Sequence, residues 1–189
     1  MTARDWRVFA GIGHPDLKAQ LVGSERAYLE NHVDAAVAKL KRQGVTVGIS
    51  RMDAGFGLIL ARKIVENGMH LWAYRPGPWQ AEGWPPALRR EWDYLCTRAS
   101  AIEDVSPFRT EAAHRMCDRA LFDAADVGLA WWNGERHGRE FQALQYAVGQ
   151  RQIPVIRLDP TARDEEQALT LPTEAAWRRR LDARELVPA

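Results

Sequence analysis

Several residues of this 189-residue chain have the types and spacing to hold an anion and a sugar. Gly134 and Gly138 bracket a short polar loop, His137 stands just before the second glycine, and a helical pattern follows at once. The free N–H groups of a first helical turn point toward what precedes it, and the helix dipole favours negative charge there. Both glycines let the backbone approach a ligand closely. The loop is therefore a candidate phosphate site, with an ordinary strand-to-helix connection as the bland alternative. Gly13-His14, Ser50-Arg51 and Gly55 occupy similar positions after other apolar runs. Arg115 and Arg119 lie one helical turn apart, and a guanidinium can grip phosphate bidentately. Arg119 equally has Asp123 four residues on as a salt-bridge partner. Glu140 falls in the first turn of the helix, where a carboxylate could stabilise a sugar cation or simply favour the dipole. Trp79 and Trp84 could stack on a base, bury themselves, or bury a dimer interface. Ser50 has no nucleophile elbow around it, and serine-hydrolase chemistry is set aside.

The elements that must position these residues alternate along the chain. Residues 7–13 read as a strand closing on glycine, and Ser24 to Gln43 as a helix with Gly44 at its end. Val45 to Ile49 is a second strand, followed by a helix that stops at Gly68. Met69 to Tyr74 is a third strand, ending in a proline-rich loop that cannot be regular structure. A helix over Ala87–Ser100, a strand over Ala101–Val105 and a helix over Thr110–Ala124 follow. The last of these places Ala113, Met116, Cys117, Ala120, Leu121 and Ala124 on one apolar stripe. The run Val127–Trp131 has the length of a strand buried on both faces, and the helix after Gly138 puts Phe141, Leu144 and Val148 on one side. Ile153–Arg157, with Pro154, suits an edge strand. This alternation predicts a doubly wound α/β fold, a mainly parallel sheet with helices on both faces and ligands beyond the strands' carboxyl ends. Residues 1–160 form that domain, and 161–189 a charged, helical C-terminal tail.

Composition narrows the functions. An apolar fraction of 46% and a charged fraction of 27% suit a globular domain. A net charge of +1 supplies no electrostatic drive toward nucleic acid or membrane. Cys96 and Cys117 form neither a C-x-x-C pair nor a zinc spacing, so no metal site is expected. With no signal-like start and no apolar run near the length of a membrane helix, a cytoplasmic protein is expected. The tryptophan-rich segment from Trp79 to Trp92 would expose large rings in a monomer, which predicts a homo-oligomer.

With the loops located, the chain resembles the SLOG superfamily, the Rossmann-like group that includes the LOG phosphoribohydrolases and DprA, and within it the YpsA-like branch. Gly13-His14 is similar to that branch's T-G-H-R turn, and S-R-M-D-A-G-F-G-L-I-L-A from Ser50 to its S-G-M-A-L-G-x-D-x-x-A-A segment. R-A-L-F-D-A-A-D-V-G-L-A-W-W-N-G from Arg119 resembles R-x-x-M-V-D-x-S-D-x-x-I-A-x-W-D-G, and G-R-E-F-Q-A-L-Q-Y-A from Gly138 stands where the branch has G-G-T-x-x-T-V-x-Y-A. The resemblance covers roughly residues 7 to 158. It departs from the pattern at Arg139 and Glu140, which replace a glycine and a threonine, and at Gly57, which replaces an aspartate. The catalytic arginine and glutamate of the LOG enzymes align with Cys117 and with Gln142 or Ala143. Arg115, Arg119 and Glu140 lie near enough to substitute.

The resemblance implies a protein that binds a small nucleotide or nucleotide-derived ligand, with no cofactor. Its phosphate would lie at the loops around Gly55 and Gly138. Gly13, His14, Ser50, Arg51, Arg115, Arg119, Gly134 and His137 would surround it, and Trp79 and Trp84 would stack on the base. The alternative is an N-glycosidase acting on a nucleoside 5′-monophosphate, with Glu140 and Arg119 catalytic and Asp53 behind them. DprA-like nucleic-acid binding is a further alternative that the near-neutral charge disfavours.

Overall fold

The structure, a computed structural model, describes residues 6–13, 24–132 and 134–158. His14 and the tail from 161 to 189 therefore lie outside the described residues. Strands β1 (Val8–Gly13), β2 (Val47–Ser50), β3 (His70–Arg75), β4 (Ala101–Asp104), β5 (Val127–Trp131) and β6 (Val155–Leu158) make a single sheet. They alternate with helices α1 (Ser24–Arg42), α2 (Phe56–Glu66), α3 (Pro86–Arg98), α4 (Glu111–Asp123) and α5 (Gly138–Gln145). The spatial order is β4-β3-β2-β1-β5-β6 and every pairing is parallel. The order reverses direction at β1, whose neighbours are β2 and β5.

Side-chain alternation along the central strands builds two cores. Phe9 on β1 and Val127, Leu129 and Trp131 on β5 pack with α1, α2 and α3. Ala10, Ile12 and Ala130 face the other way, onto Leu121 and Phe122 of α4 and Leu144 of α5. A period of two in a strand buried on both faces requires this division. Asp126 aligns the strand starts, its Oδ2 accepting from the Arg7 and Val8 amides at 2.8 and 2.9 Å. The doubly wound, parallel α/β fold is the one the alternation of elements predicts.

Three local features differ from the periodicity. Met116 of α4 is 51% exposed, while Asp118 and Phe122 are buried beside Ala113, Cys117 and Leu121. The buried face is turned because Asp118 is held inside by an ion pair. The chain after α5 widens into a π-helical turn, Tyr146–Gln150, closed by a bond from the Arg151 amide to the Tyr146 carbonyl at 3.0 Å. This widening buries Ala147 and leaves Val148 half-buried, where a regular helix would place Val148 inside. Finally, Trp79 and Trp92 are only 9% and 7% exposed, and Trp84 is half-buried. These rings pack within the chain and supply little apolar surface for a second copy, which removes the reason for expecting association there.

Candidate functional site

The loop after β2 carries the most unusual side chain. Arg51 is 1% exposed, and a guanidinium taken from water is tolerated only when ion pairs and hydrogen bonds replace its hydration. Its Nε donates to Asp53 Oδ2 at 2.8 Å, one Nη to Asp118 Oδ1 at 2.7 Å, and the other to the Gly13 carbonyl at 3.0 Å. Arg51 thereby ties the end of β1 and the β2 loop to α4. Burial alone would lower its pKa, but Asp118 and Asp53 outweigh that and hold it above its ordinary value. Glu140 approaches the same guanidinium at 3.6 Å, and Arg139 Nε lies 3.2 Å from Asp118 Oδ2. The cluster thus sets two guanidinium groups against three carboxyl groups, a formal surplus of one negative charge.

The loop's backbone is equally constrained. Met52 is buried with φ of 58°, a region where non-glycine residues are strained. Ser50 Oγ accepts from the Met52 amide at 3.1 Å and donates to the Gly57 carbonyl at 2.7 Å, so it is fully engaged inside the protein. Asp53 Oδ1 accepts from the amides of Gly55 and Gly57 at 3.2 and 3.0 Å. The start of α2 is therefore already satisfied by a carboxylate, where a phosphate was expected near Gly55. A Cβ on Gly57 would come within 2.9 Å of Asp53 Oδ2, which is why the residue here is glycine.

The expected site residues fall into three places. Arg51, Trp79 and Trp84 line one cavity of about 470 Å³, at the carboxyl ends of β2 and β3. Its other polar groups come from Asp53, Gln80, Arg109, His114 and Arg139, the Asp53 carboxylate being paired with Arg51, and Leu88 adds an apolar contact. Trp79 stands edge-on to His114, with ring centroids 5.5 Å apart. Burial pushes the His114 pKa down and Arg139 pushes it further, so its imidazole is neutral at neutral pH. Arg115 and Arg119 line a second cavity of about 360 Å³ between α4, α5 and the π turn. Arg119 lies over the Tyr146 ring at 5.4 Å instead of pairing with Asp123, which bonds Tyr146 Oη at 2.6 Å. Arg139 and its partner Asp118 separate the two spaces, since Arg139 lines both.

The third place is the loop before α5. Gly134 and Gly138 have φ of +94° and +88°, and His137 is the N-cap residue just before α5, with a highly exposed side chain that makes no capping hydrogen bond. These residues line neither cavity. Glu140 folds back over this first turn, its Oε2 within 3.8 Å of where a Cβ on Gly138 would stand. The carboxylate thus lies between the open helix end and Arg51.

Asp118, Arg139, Gln80 and His114 escape pattern reading. Asp118 alone leaves a signal, a charge beside the i, i+4, i+8 stripe Ala113, Cys117, Leu121. Cys117 itself is inert, since burial, with Asp118 adding to it, pushes the thiol pKa well up. Among the described residues no group of His, Cys, Asp or Glu could hold a metal ion.

No family model matches the sequence, and neither does any curated protein sequence. Solved structures do resemble the chain. DNA processing protein A (DprA) from Streptococcus pneumoniae aligns with a TM-score of 0.60 and 12% identity, over 84% of this chain and 52% of that one. The chain therefore spans about half the length of that relative. DprA from Helicobacter pylori, described for its single-stranded DNA binding mode, aligns at 0.59 and 12%, over 91% and 71%. TM1055, a structural-genomics target, aligns at 0.55 and 16%, over 80% and 74%. At these identities the likeness is one of fold, and the chain has the Rossmann-like fold that DprA and TM1055 share.

Proposed function

We propose that this chain binds a small nucleotide-type ligand in the cavity beyond β2 and β3, as a Rossmann-like protein akin to the YpsA-like branch of the SLOG superfamily. The carrying observation is the cavity's make-up. Indole surface from Trp79 and Trp84 and three arginines, Arg51, Arg109 and Arg139, meet in about 470 Å³ at the strand ends. Open α/β sheets bind ligands outside the carboxyl ends of their strands. An aromatic wall with a few convergent polar groups is what a planar, charged ligand requires. The ring lies against Trp84, the less buried indole. The anionic group turns to Arg109 and to Arg139, which stands in the first turn of α5 and so shares that helix's dipole.

Glu140 argues against phosphate over Gly138, because its carboxylate already occupies that side of the helix end. For the same reason the N-glycosidase alternative gains no support, as Glu140 faces Arg51. Tryptophan fluorescence during titration with nucleoside 5′-monophosphates tests the proposal. Saturable quenching is expected, and Trp84→Ala should weaken binding by about tenfold or more, since stacking on one base is worth about 1–3 kcal/mol. Failure of every nucleotide to bind, or unaltered affinity in Trp84→Ala, would overturn it.

A further inference from the structure

The polar floor of the cavity includes one acceptor with nothing to accept. Gln80 is 8% exposed and lines the cavity, and its Nε2 donates to the Arg51 carbonyl at 3.0 Å. That bond settles which way the amide faces, because the reversed amide would set oxygen against oxygen. Oε1 is therefore the free end, and it is buried without a hydrogen bond. An unsatisfied buried acceptor costs about 1–3 kcal/mol, and such groups in native proteins call for a reason.

The surroundings prevent Gln80 from relieving this cost by moving. The Arg51 carbonyl that holds it belongs to the strained turn at Met52, and the Arg51 side chain is anchored to Asp53, Asp118 and Gly13. The neighbouring carboxylates do not supply a donor: Asp53 takes the amides of Gly55 and Gly57, and Arg139 faces Asp118 as an ion pair at 3.2 Å. Gln80 also sits between Trp79 and Trp84 in sequence, and all three line the same space. A ring held against the indole wall would present its edge to this amide.

We infer that Gln80 is a specificity-determining residue: the bound ring carries an N–H donor on its edge, and a ring with acceptors alone is rejected. This rests on the reading that the cavity holds a nucleotide-type ligand. The ligand class is then a nucleotide whose base bears an amino group or a ring N–H. Sites built to bond a ligand N–H discriminate strongly against analogues that lack it, because the protein's own polar group is left unpaired.

The test titrates the full chain with AMP, GMP, CMP and UMP and with two donor-free counterparts, purine riboside and pyrimidin-2-one riboside 5′-monophosphates. The tightest of the four should bind at least about tenfold more strongly than the donor-free nucleotide of its ring size, a gap of about 1.4 kcal/mol. In Gln80→Met, of similar length but without the acceptor, that ratio should fall toward one. A thermal melt checks that the variant is folded; if it is not, the ratio for the parent protein decides alone. Equal affinity for the donor-free analogue in the parent, or an unchanged ratio in folded Gln80→Met, overturns the role of Gln80 while leaving the nucleotide reading in place. Binding of none of the nucleotides overturns both.

Discussion

Arg51→Met is expected to destabilise the protein by about 3–5 kcal/mol, because it leaves Asp53 buried without a cation and Asp118 with Arg139 alone. Urea denaturation followed by tryptophan fluorescence measures this, and a loss below about 1 kcal/mol would mean that water reaches the cluster. His114 gives a separate, pH-dependent signature. Its folded pKa lies below the ordinary value near 6.5, through burial and then the charges of Arg139 and Arg51, against which Glu111 and Asp118 work. A depressed folded pKa means that the unfolded chain binds the proton more readily. The stability tied to the neutral imidazole is therefore fully present above pH 6.5 and is lost as pH falls through the lower, folded value. Melting temperatures between about pH 5 and pH 8 should show that decline, and His114→Gln should flatten it. Glu140→Gln decides the chemical alternative: neither the parent nor the variant should release free base from any nucleoside monophosphate, as chromatography would show.

At the scale of elements, α2 is the helix whose approach matters most to the site. Its Phe56 packs against β1 so closely that a Cβ on Gly13 would come within 2.5 Å of the ring. Gly13→Ala should therefore lower stability by about 1–3 kcal/mol through overpacking. It should also disturb the Gly13 carbonyl that Arg51 uses, so nucleotide affinity should fall with it. A variant with unchanged melting temperature and affinity would show that α2 yields freely. The contact also explains Gly13 without a ligand, since close helix–strand packing is reason enough for a glycine there. Helix α4 makes a similar point. Its ion pair with Arg51 joins α4, which packs on β3 and β1, to the β2 loop, so the cavity's floor is built from elements distant in sequence.

For the whole molecule, the net charge bears on whether the fold serves nucleic-acid binding, since a chain near neutrality supplies little electrostatic drive toward a polyanion. With a net charge of +1, binding to single-stranded DNA should be weak and should vanish as salt is raised. Fluorescence anisotropy with a labelled oligonucleotide checks this, and micromolar binding that persists at about 200 mM salt would reverse the conclusion. Light scattering tests self-association against the single-chain mass of 21.4 kDa. Trp79 and Trp92 are buried within the chain and Trp84 is half-buried, so the segment offers an assembly less apolar surface than its composition predicts.

The order of strands and helices was legible in the chain because apolar periodicity and glycine stops are local properties. Gly44 and Gly68, at φ of +96° and +66°, end α1 and α2 where the sequence places stops, and the run from Val127 buries both faces as its composition requires. The candidate loops were legible for the same reason, since strand ends follow once strands are known. Which residues share a cavity was not. Arg51 and Asp118 are 67 positions apart and meet only because β2 and α4 are brought together by the crossovers on opposite sides of the sheet. Residue type and spacing group Arg115 and Arg119 with Arg51, yet they open onto the other side of Arg139. The free oxygen of Gln80 depends on where the Arg51 carbonyl lies, which no local pattern records. Local free energies write themselves into neighbouring residues; long-range pairing of buried charges depends on how the layers pack, and only the tertiary structure decides it.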